Sequence, residues 1–171
     1  MSDESDEWAE SAAGWDDAPY ARAYAAAAFA SLLDTGVELA GTRVLAFGAG
    51  TGLLTARFAP TAESIVAVDT SAAMTERLDR KLAEQGWEHV TSVAALDRAG
   101  RGFDLVVASS VCAFVDDYPS TAADLAGRLA PGGWFVQWDW ERGDDADDHG
   151  LSRTQIVDAL EGAGLVDVSV R

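Results

Sequence analysis

The sequence predicts an α/β protein built on a doubly wound, mostly parallel sheet of about six strands. Three observations carry this. Short apolar runs suited to buried strands alternate with segments of helical period along the chain. A glycine-rich turn joins the first apolar run to the helix after it. Capping and turn residues mark the changes of period. The strand-like runs are residues 44–47, 64–68, 89–94, 103–109, 134–139 and 165–170. Near-continuous apolar strands fit a sheet covered by helices on both faces, and right-handed crossovers supply those helices.

Residues 1–17 hold seven acids and no base, so they are expected to form a solvated, mobile arm ahead of a single domain at 18–171. Trp8 and Trp15 are exceptions to that composition. Residues 19–33 are alanine-rich and predict a helix with Tyr24 and Phe29 turned inward. Gly48, Gly50 and Gly52 follow the first strand, where a missing Cβ lets the backbone turn sharply and approach a ligand. Residues 53–59 then make two helical turns, ended by Pro60.

After the second strand, Ser71 caps a helix running to Gly86, with Met74, Leu78 and Leu82 on its buried stripe. The link 95–102 must return to the far side of the sheet. Eight residues reach ~26–29 Å when extended. Three interstrand steps of ~4.8 Å and a descent of ~15 Å use most of that, so no two-turn helix is expected there. Tyr118-Pro119 opens the next helix, expected to run through Ala122, Leu125 and Leu129 to a stop at Pro131-Gly132-Gly133. An acidic loop at 141–148 precedes a helix whose start, Ser152-x-x-Gln155, matches a capping box, and Gly164 ends it. The sixth strand, 165–170, is expected to lie in parallel beside the fifth.

Composition narrows the function. The net charge is −17, and Lys81 is the only lysine among 12 basic residues. No basic patch exists to neutralise phosphates, which argues against nucleic-acid partners. Acid-rich, lysine-poor composition fits a halophilic protein, whose surface carboxylates keep it solvated in strong salt; a locally acidic protein of an ordinary cytoplasm is the alternative. The N-terminus lacks the basic start and apolar core of a signal peptide, and no uncharged stretch exceeds 13 residues, so a soluble cytoplasmic protein is expected. Cys112 is the only cysteine, and His89 and His149 are isolated, so neither a disulfide nor a metal site is expected.

The chemistry concentrates between residues 44 and 69. A strand, a glycine turn, a helix and a second strand lead to Asp69, placed 19 residues after Gly50. A carboxylate there can accept both hydroxyl hydrogens of an adenosine ribose. A dinucleotide fingerprint requires G-x-G-x-x-G, but Leu53 stands where its third small residue belongs, leaving G-x-G-x-G.

With this loop, AVDTSAAM at 67–74, FDLVVASS at 103–110 and LAPGGWFV at 129–136, the chain resembles the class I S-adenosylmethionine-dependent methyltransferases, in their small-molecule branch. The resemblance implies a Rossmann-like sheet of order 3-2-1-4-5 followed by 6, and S-adenosyl-L-methionine as cofactor. By the same resemblance, Gly48, Ala49, Gly50, Thr51 and Gly52 would cradle it, with Asp69, Thr70, Met74 and Ser109 around its nucleoside. An N-terminal helix often closes over the cofactor in that family, which makes Tyr20, Arg22 and Tyr24 candidates for the methionine carboxylate or the acceptor. Trp138, Asp139 and Trp140 stand at the carboxyl end of the fifth strand, as aromatic walls and a possible base for a small-molecule acceptor, or as packing residues.

Three departures qualify the resemblance. Ala46 replaces an acid that usually orients the cofactor's ammonium group, Asp97 aligns only loosely with an adenine-contacting acid, and the family's seventh, antiparallel strand is expected to be missing from residues 1–171. Two further readings therefore stay open: a non-catalytic cofactor-binding or interaction protein, and a nucleotide-dependent oxidoreductase. Methyl transfer requires no fixed catalytic signature, and none is present. Cys112 reads as a small buried apolar residue.

Overall fold

The computed structural model describes residues 6, 8–143 and 150–171. In chain order the elements are α1 (Ala9–Ala12), α2 (Pro19–Asp34), β1 (Arg43–Phe47), α3 (Thr55–Phe58), β2 (Ser64–Val68), α4 (Ala72–Gln85), β3 (Val90–Val93), β4 (Phe103–Ser109), α5 (Tyr118–Ala126), β5 (Leu129–Trp138) and α6 (Arg153–Gly162). The strands form one sheet of order β3-β2-β1-β4-β5, with every pairing parallel.

The apolar runs build this sheet because successive side chains serve opposite faces. Val44 and Ala46 of β1 join Leu32, Phe58, Ile65, Leu78, Leu105 and Val107 on one side. Leu45 joins Val68, Val106 and Leu125 on the other. Helix ends follow local chemistry. Ser71 accepts from the Met74 N–H, and Gly86 closes α4 in the left-handed region at φ 67°. Asp117 caps α5 by accepting from Ser120. Both reciprocal bonds of the Ser152–Gln155 capping box are present.

Four expectations change. The helix after the glycine loop is a single turn, α3, rather than two. Helix α5 ends at Ala126, and Leu129 belongs to β5, paired with Phe103. The Arg128 carbonyl accepts from both Gly102 and Phe103 at 2.8 and 3.0 Å, which pulls the chain into the sheet before Pro131 can act as a stop. The sixth strand is absent: 165–170 forms no ladder with β5. Asp167 adopts φ 58°, which breaks the extended run, while Leu165 and Val168 pack their side chains on the cluster around Cys112 and Leu160. Lastly, the described part of the acidic segment packs on the domain instead of projecting from it. Trp8 packs edge-on against Trp15 and Phe114, and α1 lies against α4.

The link between β3 and β4 carries one 3₁₀ turn at Leu96–Arg98 and no longer helix, as the reach of eight residues requires. The acidic loop falls largely on 144–149, and with His149 lies outside the described residues. Among those described, no helix is long and apolar enough to cross a membrane.

Candidate functional site

The carboxyl ends of β1, β2, β4 and β5 gather most of the residues singled out from the sequence. Sheet order reverses between β1 and β4, and in such folds ligands bind outside the strand ends at that point. The glycine loop stands there. Gly48, Gly50 and Gly52 have φ of 68°, 54° and 82°, in the left-handed region that side chains disfavour. A Cβ on Gly48 would meet Val111 at 2.4 Å, and one on Gly52 would meet Leu78 at 2.4 Å. At Gly50 the only atom within 4 Å would be the Met74 sulfur, at 4.0 Å, so this glycine faces open space. Close packing requires the outer two, while the middle one leaves room for a ligand.

Asp69 ties the loop to the end of β2. Its Oδ2 accepts from the Gly50 N–H at 2.6 Å and its Oδ1 from the Ser71 N–H at 3.0 Å. Each oxygen keeps a second lone pair, and the residue is only partly buried. Burial lifts its pKa above the ordinary value against these bonds, with the Asp6 charge adding to the rise. Thr70 is exposed beside it and lines a cleft of about 310 Å³ with Phe47, Val68, Ala95, Leu96, Ser120, Thr121 and Asp124. Asp97, the loosely aligned acid, is exposed and does not line this cleft.

Met74 is buried in the first turn of α4 and its sulfur lies beside Gly50, so packing and proximity to the loop hold together. Ala49 packs on the core, and its N–H donates to the Val68 carbonyl. Thr51 is fully buried, and its hydroxyl donates to Asp16 at 2.5 Å. Ala46 is buried among the core residues of β1.

The β4–β5 side carries the aromatics. Ser109 pairs with Trp138, and Ser110 takes φ 52°, rare for a side-chain-bearing residue, with its N–H on the Trp138 carbonyl at 2.8 Å. The Tyr24 hydroxyl donates to the same carbonyl at 3.2 Å, and its ring lies 5.9 Å from Trp140 in a stacked pair. Burial raises the Tyr24 pKa, with Ser109 and Ser110 facing the hydroxyl. Trp138 Nε1 donates to Ser31 of α2 at 2.6 Å, so this ring packs beneath the helix, whereas Trp140 is exposed. Tyr20 is exposed as well and meets Trp15 edge-on rather than joining Tyr24.

Asp139 points to the opposite side. Its Oδ2 accepts from the Cys112 N–H at 2.9 Å and from Gln137 at 3.3 Å, Oδ1 accepts from the Trp140 N–H at 3.3 Å, and the Ala113 N–H also faces the carboxylate. Burial raises its pKa above the ordinary value despite these donors. The Cys112 thiol is buried and pushed up by desolvation and by the Asp139 charge.

Several residues at this edge escaped the reading of the sequence. Asp6 accepts from the Ser71 hydroxyl and the Ala73 N–H at 2.8 and 3.1 Å, and Asp16 pairs with Lys81 at 3.0 Å. Trp8 and Trp15 were the available signal, since a free arm seldom keeps two indoles. Ala95 and Leu96 of the cleft carry no signal of their own.

A parallel five-stranded sheet with a glycine loop at its switch point and an acid at the end of β2 defines a Rossmann-like fold of the class I methyltransferase type. Residues 45–135 match the family described as "Methyltransferase domain", and the chain belongs to that family. It is 33% identical over 105 residues to an uncharacterized methyltransferase of Mycobacterium bovis, covering 60% of this chain and 53% of that protein. The chain thus spans about half the length of this curated relative and of two matching proteins of Mycobacterium tuberculosis. Among solved structures, a putative sarcosine dimethylglycine methyltransferase from Galdieria sulphuraria superposes with a TM-score of 0.73 at 17% identity, over 83% of this chain and 61% of that one. Phosphoethanolamine N-methyltransferase 2 of Haemonchus contortus, in complex with S-adenosyl-L-methionine, gives 0.71 at 19% identity, over 82% and 36%. At such identities the likeness concerns the fold.

Proposed function

We propose that the protein is an S-adenosylmethionine-dependent methyltransferase acting on a small-molecule acceptor. The observation that carries this is the Gly50–Asp69 pair. A carboxylate fixed by two backbone donors keeps one lone pair on each oxygen for a ribose, beside a glycine whose missing Cβ leaves the cleft open. The neighbouring cleft lined by Thr70, Ala95 and Leu96 is apolar and suited to an adenine. The residues therefore fit the cofactor: Gly48 to Gly52 and Asp69 would hold its nucleoside end, with Thr70, Met74 and Ser109 around them. The named relatives support the same class of reaction.

When bound, the cofactor supplies an electrophilic methyl group on a sulfonium. The chain's own task is positioning, which can contribute up to ~7–11 kcal/mol when reacting groups are held in line. Asp69 and the loop fix one partner. Tyr24 and Trp140, stacked beside the end of β5, wall the space for the other, with Trp138 packed behind them under α2. If the acceptor must lose a proton, Asp139 at the end of β5 is the candidate base; its carboxyl, bonded to the Cys112 N–H, would take it from the side opposite the tryptophans.

Calorimetric titration with S-adenosylmethionine, S-adenosylhomocysteine and NAD in molar KCl tests this reading. Selective binding of the first two supports it, and preference for NAD overturns it. Turnover across a panel of small acceptors then separates an enzyme from a cofactor-binding protein without activity. We also read the charge of −17 as adaptation to a salt-rich cytoplasm. The melting temperature is then expected to climb with KCl, and a fall would count against it.

A further inference from the structure

The chain's single lysine does not lie free on the surface. Lys81, in the third turn of α4, donates from Nζ to the Thr51 carbonyl at 2.9 Å and pairs with Asp16 Oδ2 at 3.0 Å. The other oxygen of Asp16 accepts from the Thr51 hydroxyl at 2.5 Å. Three separate parts of the molecule thus close on one residue: the segment before α2, the middle of the glycine loop, and α4. Thr51 stands between Gly50 and Gly52, two glycines in the left-handed region that give the loop little stiffness of its own. Its side chain and its carbonyl are both held by this clamp.

The segment carrying Asp16 also crosses the loop. One anchor is Asp6 on Ser71 and Ala73 at the start of α4. The other is Trp8, whose ring is 5.6 Å from that of Phe114, just beyond β4. Contacts to α4, to Thr51 of the glycine loop and to Phe114 beyond β4 thus bracket the loop, and we call Asp6 with residues 8–17 the strap.

We propose, on the reading that this loop holds S-adenosylmethionine, that Lys81 and Asp16 are positioning residues that lock strap and loop together, so that strap docking and cofactor binding strengthen each other. Neither needs to touch the cofactor. A ligand that selects one loop geometry gains from a clamp that already holds it, and the strap docks more firmly on a loop the ligand has ordered. Such linkage is reciprocal.

The probe is S-adenosylhomocysteine, titrated against the parent protein and the variants Asp16→Asn, Lys81→Met, Lys81→Arg and the Asp16→Asn/Lys81→Met double. Each of Asp16→Asn and Lys81→Met is expected to weaken binding roughly five- to tenfold, within the usual span of coupling factors. The double is expected to be no weaker than the worse single, and Lys81→Arg to restore most of the affinity. A second readout needs no variant. Lys81 is the only lysine, so mass spectrometry of its peptide after treatment with an amine-acetylating reagent follows the clamp directly. S-adenosylhomocysteine is expected to slow Lys81 acetylation in the parent protein. Unchanged affinity in the folded single variants, or acetylation indifferent to the ligand, would overturn the coupling while leaving the cofactor reading intact. Failure of the parent to bind S-adenosylhomocysteine would remove the cofactor reading, and the coupling with it.

Discussion

Replacing Asp69 by alanine perturbs the free protein and the complex by different amounts. In the free protein the substitution removes the acceptor of the Gly50 and Ser71 N–H groups, now bonded at 2.6 and 3.0 Å. A buried donor left unpaired costs about 1–3 kcal/mol, and water reaching this partly buried site trims that figure. In the complex, two further charge-assisted bonds to ribose hydroxyls disappear, each about 1.5–3 kcal/mol before compensation. Even one at the lower end corresponds to roughly tenfold in affinity. Asp69→Ala is therefore expected to melt somewhat lower but remain folded, and to bind S-adenosylhomocysteine at least tenfold more weakly by calorimetry. A folded variant binding as tightly as the parent would refute the ribose assignment.

Acid provides a milder version of the same perturbation. Burial raises the folded-state pKa of Asp69 above its ordinary 3.8. For an acid shifted upward, the native state holds the proton more firmly than the unfolded chain. Its contribution to stability is thus complete below 3.8 and is lost as pH rises through the folded value. Cofactor affinity runs the other way, because ribose hydroxyls donate best to the ionised carboxylate. Affinity is expected to decline on acidification while pH is still above 3.8, and Asp69→Asn to lack that step. A parent protein whose affinity holds level down to 3.8 would count against it.

Gly48→Ala places a Cβ 2.4 Å from Val111 at a backbone φ of 68°, and overpacking alone should cost about 1–3 kcal/mol in denaturant unfolding. Adding Val111→Gly, which removes the contacting Cβ together with both methyls, should recover part of the loss, and no recovery would locate the cost in the backbone alone. Ala46→Asp buries a carboxylate where the residue is 5% exposed, so the free protein should melt lower. S-adenosylmethionine should then raise its melting temperature by more than it raises the parent's, and equal shifts would show that its ammonium has no use for that acid. Asp139→Asn should leave S-adenosylhomocysteine affinity near that of the parent. If Asp139 takes the acceptor's proton, turnover and the acidic limb of its pH profile should be lost together; lost stability with turnover preserved would make it a clamp on Cys112.

The sheet was legible because its signals are local. Residues 64–68 and 103–109 read as strands with the bounds the structure gives them, since continuous apolar runs between turn residues leave few options. Ser71, Gly86 and the Ser152–Gln155 box likewise act within their own helices. The misreadings arose where distant partners decide. Leu129 follows a helical stripe, yet it pairs with Phe103, and nothing near it in sequence reveals the Arg128 carbonyl's two donors. The run 165–170 has strand composition, but the left-handed Asp167 breaks it: Leu165 and Val168 pack onto a cluster, Val166 stays exposed, and no ladder edge is offered. At the site, Gly48 to Gly52 and Asp69 announced themselves by spacing, while Ala95 and Leu96 acquired a place only when the sheet brought them beside Thr70.

The acidic segment shows why composition alone misleads. Seven acids without a base suggest a repelled, solvated arm. Yet Asp6 meets N–H and hydroxyl donors at the start of α4, and Asp16 meets the chain's single ammonium. Their donors hold the Asp6 carboxyl below its ordinary pKa, so the charge is favoured where it docks. The aromatic contacts hold the strap as well: an edge-to-face pair returns about 0.5–1.5 kcal/mol beyond the apolar area its rings bury, against ~1–2 kcal/mol for ordering each residue. The polar anchors at both ends add to that balance. One of those anchors is Thr51, inside the loop proposed to hold the cofactor, so the strap's balance and the loop's shape are set by the same few bonds.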